Sequence, residues 1–334
     1  SEKQAIDATL HSLAAEDSRF CPIADKYWNA RGGSATDGGA FIFTVRDSGN
    51  GNGSKRLTCT NKFGEAIKTP PNQKHCSVIM EGSILHNDEE QSTAWGNRTS
   101  DASTLKEFCR RGMAGWEYDS FQNFCQEVGA LADQDDAGKT MAIEVLTFLN
   151  DSRLPTGKKK RSSVLHIVRN QLSNILAATP KLDDNSTSIY RFIDWSTRHT
   201  LRAPGDNEKA LVLNARDFPP EGDDCDARLI VDAYRMGWQQ FIAYGYRGQR
   251  FCGCGLAQNS DGVRIDVYES SGDYLGSGID GADIYVHDNA QDQVGQIMKR
   301  GRLVIYGDVG QTFMYGAKGG DVYVMGNAAG RPLI

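Results

Sequence analysis

The sequence predicts an α+β N-terminal region followed by a right-handed parallel β-helix built from coils of about 19 residues. Three observations carry that expectation: aliphatic positions that recur every 19 residues after Val263, 36 glycines against only 9 prolines, and a first half with helical stripes but no repeat. Of the 334 residues, 39% are hydrophobic and 24% charged, a globular balance with enough apolar material for a large core. A net charge of −6 argues against nucleic-acid binding as the main task, because phosphate backbones are held by an excess of Lys and Arg. No apolar run approaches the ~20 residues of a membrane-spanning helix, and Ser1-Glu2-Lys3-Gln4 is not a signal peptide. The expected location is therefore cytoplasmic.

The N-terminal elements follow from local patterning. Ser1 and Gln4 are placed to cap a helix over Glu2–Ala15. Ala40–Arg46 and Lys55–Thr60 read as strands joined by the flexible Ser48-Gly49-Asn50-Gly51-Asn52-Gly53-Ser54, and Ser77–Met80 as a further strand. Helices are expected over Ser103–Arg111, Ser120–Leu131, Lys139–Asn150 and Ser162–Ala178. This α+β domain is taken to span 1–180, with 181–208 as a connection and 209–334 as the β-helix domain.

In the C-terminal stretch Ile265, Ile284, Leu303 and Val322 form one register and Val267, Val286, Ile305 and Val324 a second. The two registers are two residues apart, the period of a strand, so both point to one face. Leu275, Val294 and Phe313 form a third column, and Ile279, Met298 and Ala317 a fourth. Tyr268, His287, Tyr306 and Met325 follow the second register and are expected to face outward. Ser270, Asn289, Asp308 and Asn327 make a polar column suited to turns. A fixed period this short marks a stacked solenoid. Burying one column of four aliphatics yields roughly 6–12 kcal/mol before chain entropy is subtracted. An earlier coil is expected because Tyr244-Gly245-Tyr246 parallels Tyr306-Gly307-Asp308 at an offset of three periods plus five residues, the five fitting a loop at Gln258–Gly262.

The run Gly295-Gln296-Ile297-Met298, then Gly307-Asp308-Val309-Gly310 and Gly316-Ala317-Lys318-Gly319-Gly320-Asp321-Val322, resembles the Gly-x-Gly-x-Gly domain of glutamate synthase large subunits. The third subunit of formylmethanofuran dehydrogenases carries a similar β-helix. The resemblance begins near Lys209, with a strand over Ala210–Ala215 and an amphipathic helix over Asp223–Gln239. It implies an architectural role inside a multi-subunit, hetero-oligomeric oxidoreductase. Flavin, iron–sulfur or molybdenum/tungsten cofactors would then sit in partner subunits and none in this chain, and no residue of 209–334 inherits a catalytic role. The family's helix usually continues past this point, so a coil end near Ile334 is expected to be covered by further chain or by a partner.

Other constellations point to weaker chemistry. Gly138-Lys139-Thr140 ends like a phosphate-binding loop, but Asp133 stands where its first glycine belongs. Asp133, Asp135 and Asp136 read as an acidic helix start rather than a cation site, and Lys158-Lys159-Lys160-Arg161 as a solvated loop. The eight cysteines lack ligand spacings for zinc or iron–sulfur clusters and read as small thiols in a reducing compartment. The segments Arg31-Gly32-Gly33, His86-Asn87-Asp88 and Ser100-Asp101 occur in the order found in class II glutamine amidotransferases. That faint resemblance implies an oxyanion role for His86 and Asn87 and binding of the substrate amine at Asp101, with Arg31 in the family's Arg-Gly segment. It departs from the family at Ser1, where a cysteine nucleophile belongs, and at Asp88, where a negative charge would face the oxyanion. The leading expectation is a scaffold without a catalytic residue of its own. The alternatives are an amidotransferase-type enzyme and a binding module using the Tyr268, His287 and Tyr306 ladder.

Overall fold

The computed structural model describes residues 41–47, 55–61 and 101–333. The chain divides into two compact units, Ser1–Ile84 and Leu85–Ile334. In the first unit, β1 (Phe41–Asp47) and β2 (Lys55–Asn61) pair antiparallel, Phe41 opposite Asn61 and Asp47 opposite Lys55. They are the expected hairpin arms. The expected helix over Glu2–Ala15 and strand over Ser77–Met80 lie outside the described residues.

Among the described residues of the second unit, four helices come first. Helix α1 (Ala102–Gly112) starts at Asp101, whose Oδ1 accepts the Thr104 N–H at 2.8 Å, the usual satisfaction of an orphan donor at a helix start. Helix α2 (Tyr118–Ala130) buries Phe121, Phe124, Cys125 and Val128, a stripe of helical period. Helix α3 (Asp136–Asp151) is capped by Asp135 and buries Ala142, Val145, Leu146 and Leu149, and α4 (Arg161–Ala177) buries Val164, Val168, Leu172, Ile175 and Leu176. All four lie within a few residues of the segments that periodicity marks.

Seven parallel strands then stack in chain order: β3 (Tyr190–Asp194), β4 (Ala210–Asn214), β5 (Gln240–Tyr244), β6 (Arg264–Val267), β7 (Asp280–Val286), β8 (Arg300–Ile305) and β9 (Asp321–Val324). Helix α5 (Asp226–Arg235) is inserted between β4 and β5. The pairing Ile265–Ile284–Leu303–Val322 and Val267–Val286–Ile305–Val324 reproduces both aliphatic registers. These side chains meet the Leu275/Val294/Phe313 and Ile279/Met298/Ala317 columns in one core, to which α5 adds Leu229, Ile230 and Ala233. Ala243 pairs with Val267, 24 positions on, which is the 19-residue step plus the five residues assigned to the small loop.

Two features depart from expectation. Tyr190–Asp194, inside the segment read as a connection, is a strand paired with β4, so the solenoid runs from residue 190 to 324. Its Arg191 is buried and ion-pairs with Glu208 at 3.1 Å; the charge hides the strand from a hydrophobicity pattern. The four helices, grouped with the hairpin by a boundary near Pro180, belong to the solenoid's unit. Their apolar stripes form a second core with Tyr190, Phe192, Ala210, Val212, Ile242, Tyr244 and Tyr268, the outward side chains of the sheet. The sheet is thus covered on both faces over β3 to β6, while Tyr323 of β9 stays exposed.

The glycines serve two purposes. Gly301 has φ +98°, a corner that side chains rarely adopt. Gly307 has no such backbone need: a Cβ there would lie 2.3 Å from Asn289 Oδ1 of the preceding rung. That oxygen accepts the Asp308 N–H at 2.8 Å, and Asp308 Oδ1 in turn accepts the Asn327 N–H at 2.7 Å, each bond spanning 19 positions. The polar column therefore links successive rungs rather than closing single turns. Among the described residues no helix is long and apolar enough to cross a membrane.

Candidate functional site

A group of buried ionisable side chains lies in the seam between α3, α4 and the outward face of β5–β7. Near the C-terminus of α3, Thr147, Asn150 and Asp151 share one helical face at spacings of three and four. That face meets the ladder of Tyr268, His287 and Tyr306, one residue from each successive rung. The rings stack, with centroids 4.4 Å apart between Tyr268 and His287 and 5.4 Å between His287 and Tyr306. Thr147 Oγ1 and Tyr268 Oη share a hydrogen bond of 2.6 Å, and Asn150 Nδ2 donates to the His287 carbonyl at 2.7 Å.

His287 is only 3% exposed and bridges two carboxylates. Its Nδ1 lies 2.9 Å from Asp151 Oδ2, and its Nε2 lies 3.2 Å from Asp266 Oδ1. Arg264 grips the same Asp266 with two bonds of 2.7 and 2.8 Å. Burial alone would strip the imidazole of its proton, but Asp151 and Asp266 outweigh it and hold His287 up at about 9. Burial likewise works to raise Asp266, yet Arg264 and His287 keep its carboxyl below the usual range. A second chain of contacts runs from Arg169, whose Nε donates to Asn150 Oδ1 at 2.9 Å and whose Nη1 pairs with Asp288 at 3.0 Å. Beside it, Arg169, Ser173, Tyr244 and Glu269 line a cleft of ≈10 Å³, room for about one water molecule.

This arrangement clamps rather than catalyses. Both nitrogens of His287 are engaged by carboxylates, leaving no lone pair to accept a substrate proton. The ladder faces outward from the coil, as expected, and at Tyr268 and His287 it is buried beneath the helices. Its stacking between coils is the outcome that such a column favours.

Of the amidotransferase candidates, Asp101 alone lies among the described residues. Arg31, His86 and Asn87 lie outside them, and Asp101 is the N-cap of α1. The acidic start at Asp135 and Asp136 is also structural: Asp135 Oδ1 accepts the Gly138 N–H at 2.7 Å, and Asp136 takes the Ser188 hydroxyl at 2.6 Å and the Ile189 N–H at 2.8 Å. Lys139 is buried, its Nζ 3.4 Å from Thr179 Oγ1, so Gly138-Lys139-Thr140 is a helix start. Lys159 corrects the solvated-loop reading. It is buried with its ammonium on the carbonyls of Met113 and Trp116, because these oxygens lie past the end of α1 and need donors. Burial pushes the Cys109 thiol up to about 12 and Cys254 up to about 11, and raises Cys125, Cys225 and Cys252, which makes all five poor nucleophiles.

Asp151, Asp266, Arg169 and Glu269 escape a reading of the sequence. The signal that could have found them is the polar stripe Thr147, Asn150, Asp151 on an otherwise apolar helix. No protein-family model matches the chain, and neither a curated protein nor a solved structure matches it.

Proposed function

We propose that this chain is a scaffold: a rigid, non-catalytic unit that holds partner active sites at fixed separation within a multi-subunit oxidoreductase. The observation that supports it best is the double anchoring of one parallel sheet. Every rung is tied to the next by backbone pairing, and the helices are tied to the rungs by a buried charged clamp. Rigid elements with their side chains locked by packing are what precise positioning requires. In this reading the coils wind right-handed with a regular 19-residue step over the last four rungs, as crossovers between parallel strands overwhelmingly do.

The Gly-x-Gly-x-Gly resemblance of the last rungs supplies the class of assembly, with flavin, iron–sulfur or molybdenum/tungsten groups carried by companion subunits. The alternating column Arg264, Asp283, Arg302 and Asp321 adds a charge pattern that partner strands can read. Native mass spectrometry of the tagged full chain isolated from its own cells tests the proposal. The expected result is a stoichiometric complex that includes a redox-cofactor subunit, with no cofactor retained by the chain alone. A purified chain that holds flavin or metal one-to-one, or that releases ammonia from glutamine, overturns it.

A further inference from the structure

We propose that the outer edge of β9 is a docking site for a parallel strand of a partner chain, one whose sequence runs cation, aliphatic, any residue, aliphatic, any residue, glycine. The inference extends the scaffold reading by naming what one end of the solenoid would hold, and it rests on the geometry of β9 rather than on the kind of assembly. The two ends of the stack differ. Beyond β3 the edge is taken: the Leu182 N–H donates to the Phe192 carbonyl at 2.9 Å, and the Phe192 N–H donates to the Pro180 carbonyl at 2.7 Å. Beyond β9, among the described residues, no strand follows in the sheet. The Met325 N–H donates back to the Ile305 carbonyl of β8 at 2.8 Å, so the alternation of a parallel ladder turns the backbone groups of Val322 and Val324 to the open edge. Their side chains belong to columns that are fully buried one rung earlier, at Leu303 and Ile305, yet here they are only half-buried. Tyr323 and Met325 are 51% and 55% exposed. With Ile297, Tyr315 and Leu333 they place the exposed apolar surface at this end, which marks it as the face for an interaction.

The last rung itself specifies what fits. The column Arg264, Asp283, Arg302, Asp321 alternates in sign, so Asp321 favours a cation opposite it. Val322 and Val324 favour two aliphatics that complete their columns, as a strand added to a sheet edge is read by backbone pairing and alternate side chains. The glycine follows from the polar column. Asn289 Oδ1 takes the Asp308 N–H at 2.8 Å and Asp308 Oδ1 takes the Asn327 N–H at 2.7 Å, and a Cβ at Gly307 or Gly326 would lie 2.3 Å from these oxygens. Asn327 repeats the arrangement: its Nδ2 donates to Asp308 Oδ1 at 3.1 Å, which leaves its own Oδ1 to accept an N–H of the next rung, behind a glycine that clears it. A second copy of this chain does not meet the specification. Stacked head to tail it would need the edge of β3, which is taken; paired edge to edge, β9 runs Asp-Val-Tyr-Val and brings no cation to Asp321.

Fluorescence anisotropy of the full chain with a labelled peptide copied from residues 299–309 tests this, because the β8 segment Arg302-Leu303-Val304-Ile305-Tyr306-Gly307 carries the required pattern. The expected result is saturable one-to-one binding, with hydrogen exchange slowed at 322–325 and unchanged at 190–194. Arg302→Asp in the peptide should weaken binding about two- to fivefold, since it turns an opposite-charge cross-strand pair into a like-charge one. Gly307→Ala in the peptide should weaken it as well, by setting a Cβ against Asn327. Asp321→Arg in the chain should reverse the preference between the arginine and aspartate peptides. Absence of saturable binding, equal binding of all three peptides, or protection away from β9 overturns the proposal, as does a dimer of the chain that excludes the peptide. Should Asp321→Arg not fold, the three peptides on the unaltered protein decide alone. A chain that carries its own redox cofactor would overturn the scaffold reading and leave this edge standing, so the two failures are distinct.

Discussion

On β7, Ile284 and Val286 point into the coil while the next residue, His287, points to the helices, so neighbouring positions serve two different cores. The inner core is built by repetition: each aliphatic sits over its counterpart one rung away. The outer core is built by a single heterotypic fit, in which aromatic and aliphatic side chains surround a clamp of Asp151, His287, Asp266 and Arg264. Repetition tolerates loss at its ends, because each rung needs only its neighbours. A clamp does not, because removing one partner strands the others in a dry place.

The largest expected effect breaks the inner face. Val286→Asp places an unpaired charge at a fully buried site and should cost more than about 3 kcal/mol in urea unfolding. Val324→Asp, at the half-buried equivalent in β9, should cost only about 1 kcal/mol, and equal effects would show that depth in the stack is irrelevant. Next comes the outer face. Asp151→Asn should destabilise by about 3 kcal/mol at neutral pH by breaking a buried pair. Since the folded His287 holds its proton up to about 9, that loss should be complete below about pH 6.5 and shrink as pH rises through about 9, measurable as converging unfolding midpoints. A loss independent of pH would mean that packing, not charge, holds the seam.

Smaller effects sharpen the contrast. Asn289→Ala removes one inter-rung bond and should cost about 1 kcal/mol in thermal unfolding. Asp101→Ala removes a helix cap and should cost about 0.5–1 kcal/mol, read by the same method, without affecting the solenoid's exchange protection. Full loss of exchange protection in 264–305 on that substitution would contradict a purely local role for Asp101.

The inner face was legible because its information is repeated. A column such as Ile265, Ile284, Leu303 and Val322 appears at one period in the chain, and each member supports the reading of the next. Helices α1 to α4 were legible for a related reason, since a stripe like Phe121, Phe124, Cys125 and Val128 is local. β3 was missed because its strand signal is broken by Arg191, a charge made tolerable by Glu208 and by the carbonyls of Leu182, Asp184 and Ser186. The seam was missed because Asp151 and His287 lie 136 positions apart, and an Asn-Asp pair at a helix end reads as solvated.

The amino-acid order alone therefore determined the four regular rungs β6 to β9, their register and their aliphatic core, because hydrophobic burial repeated at a fixed short period favours stacking. Tertiary structure alone decided that the helices lie on the sheet, that the Tyr268–His287–Tyr306 ladder is buried, and that a histidine is locked between two acids. Those outcomes depend on charges meeting across long loops in a medium that cannot solvate them, and no local pattern encodes where such partners will meet.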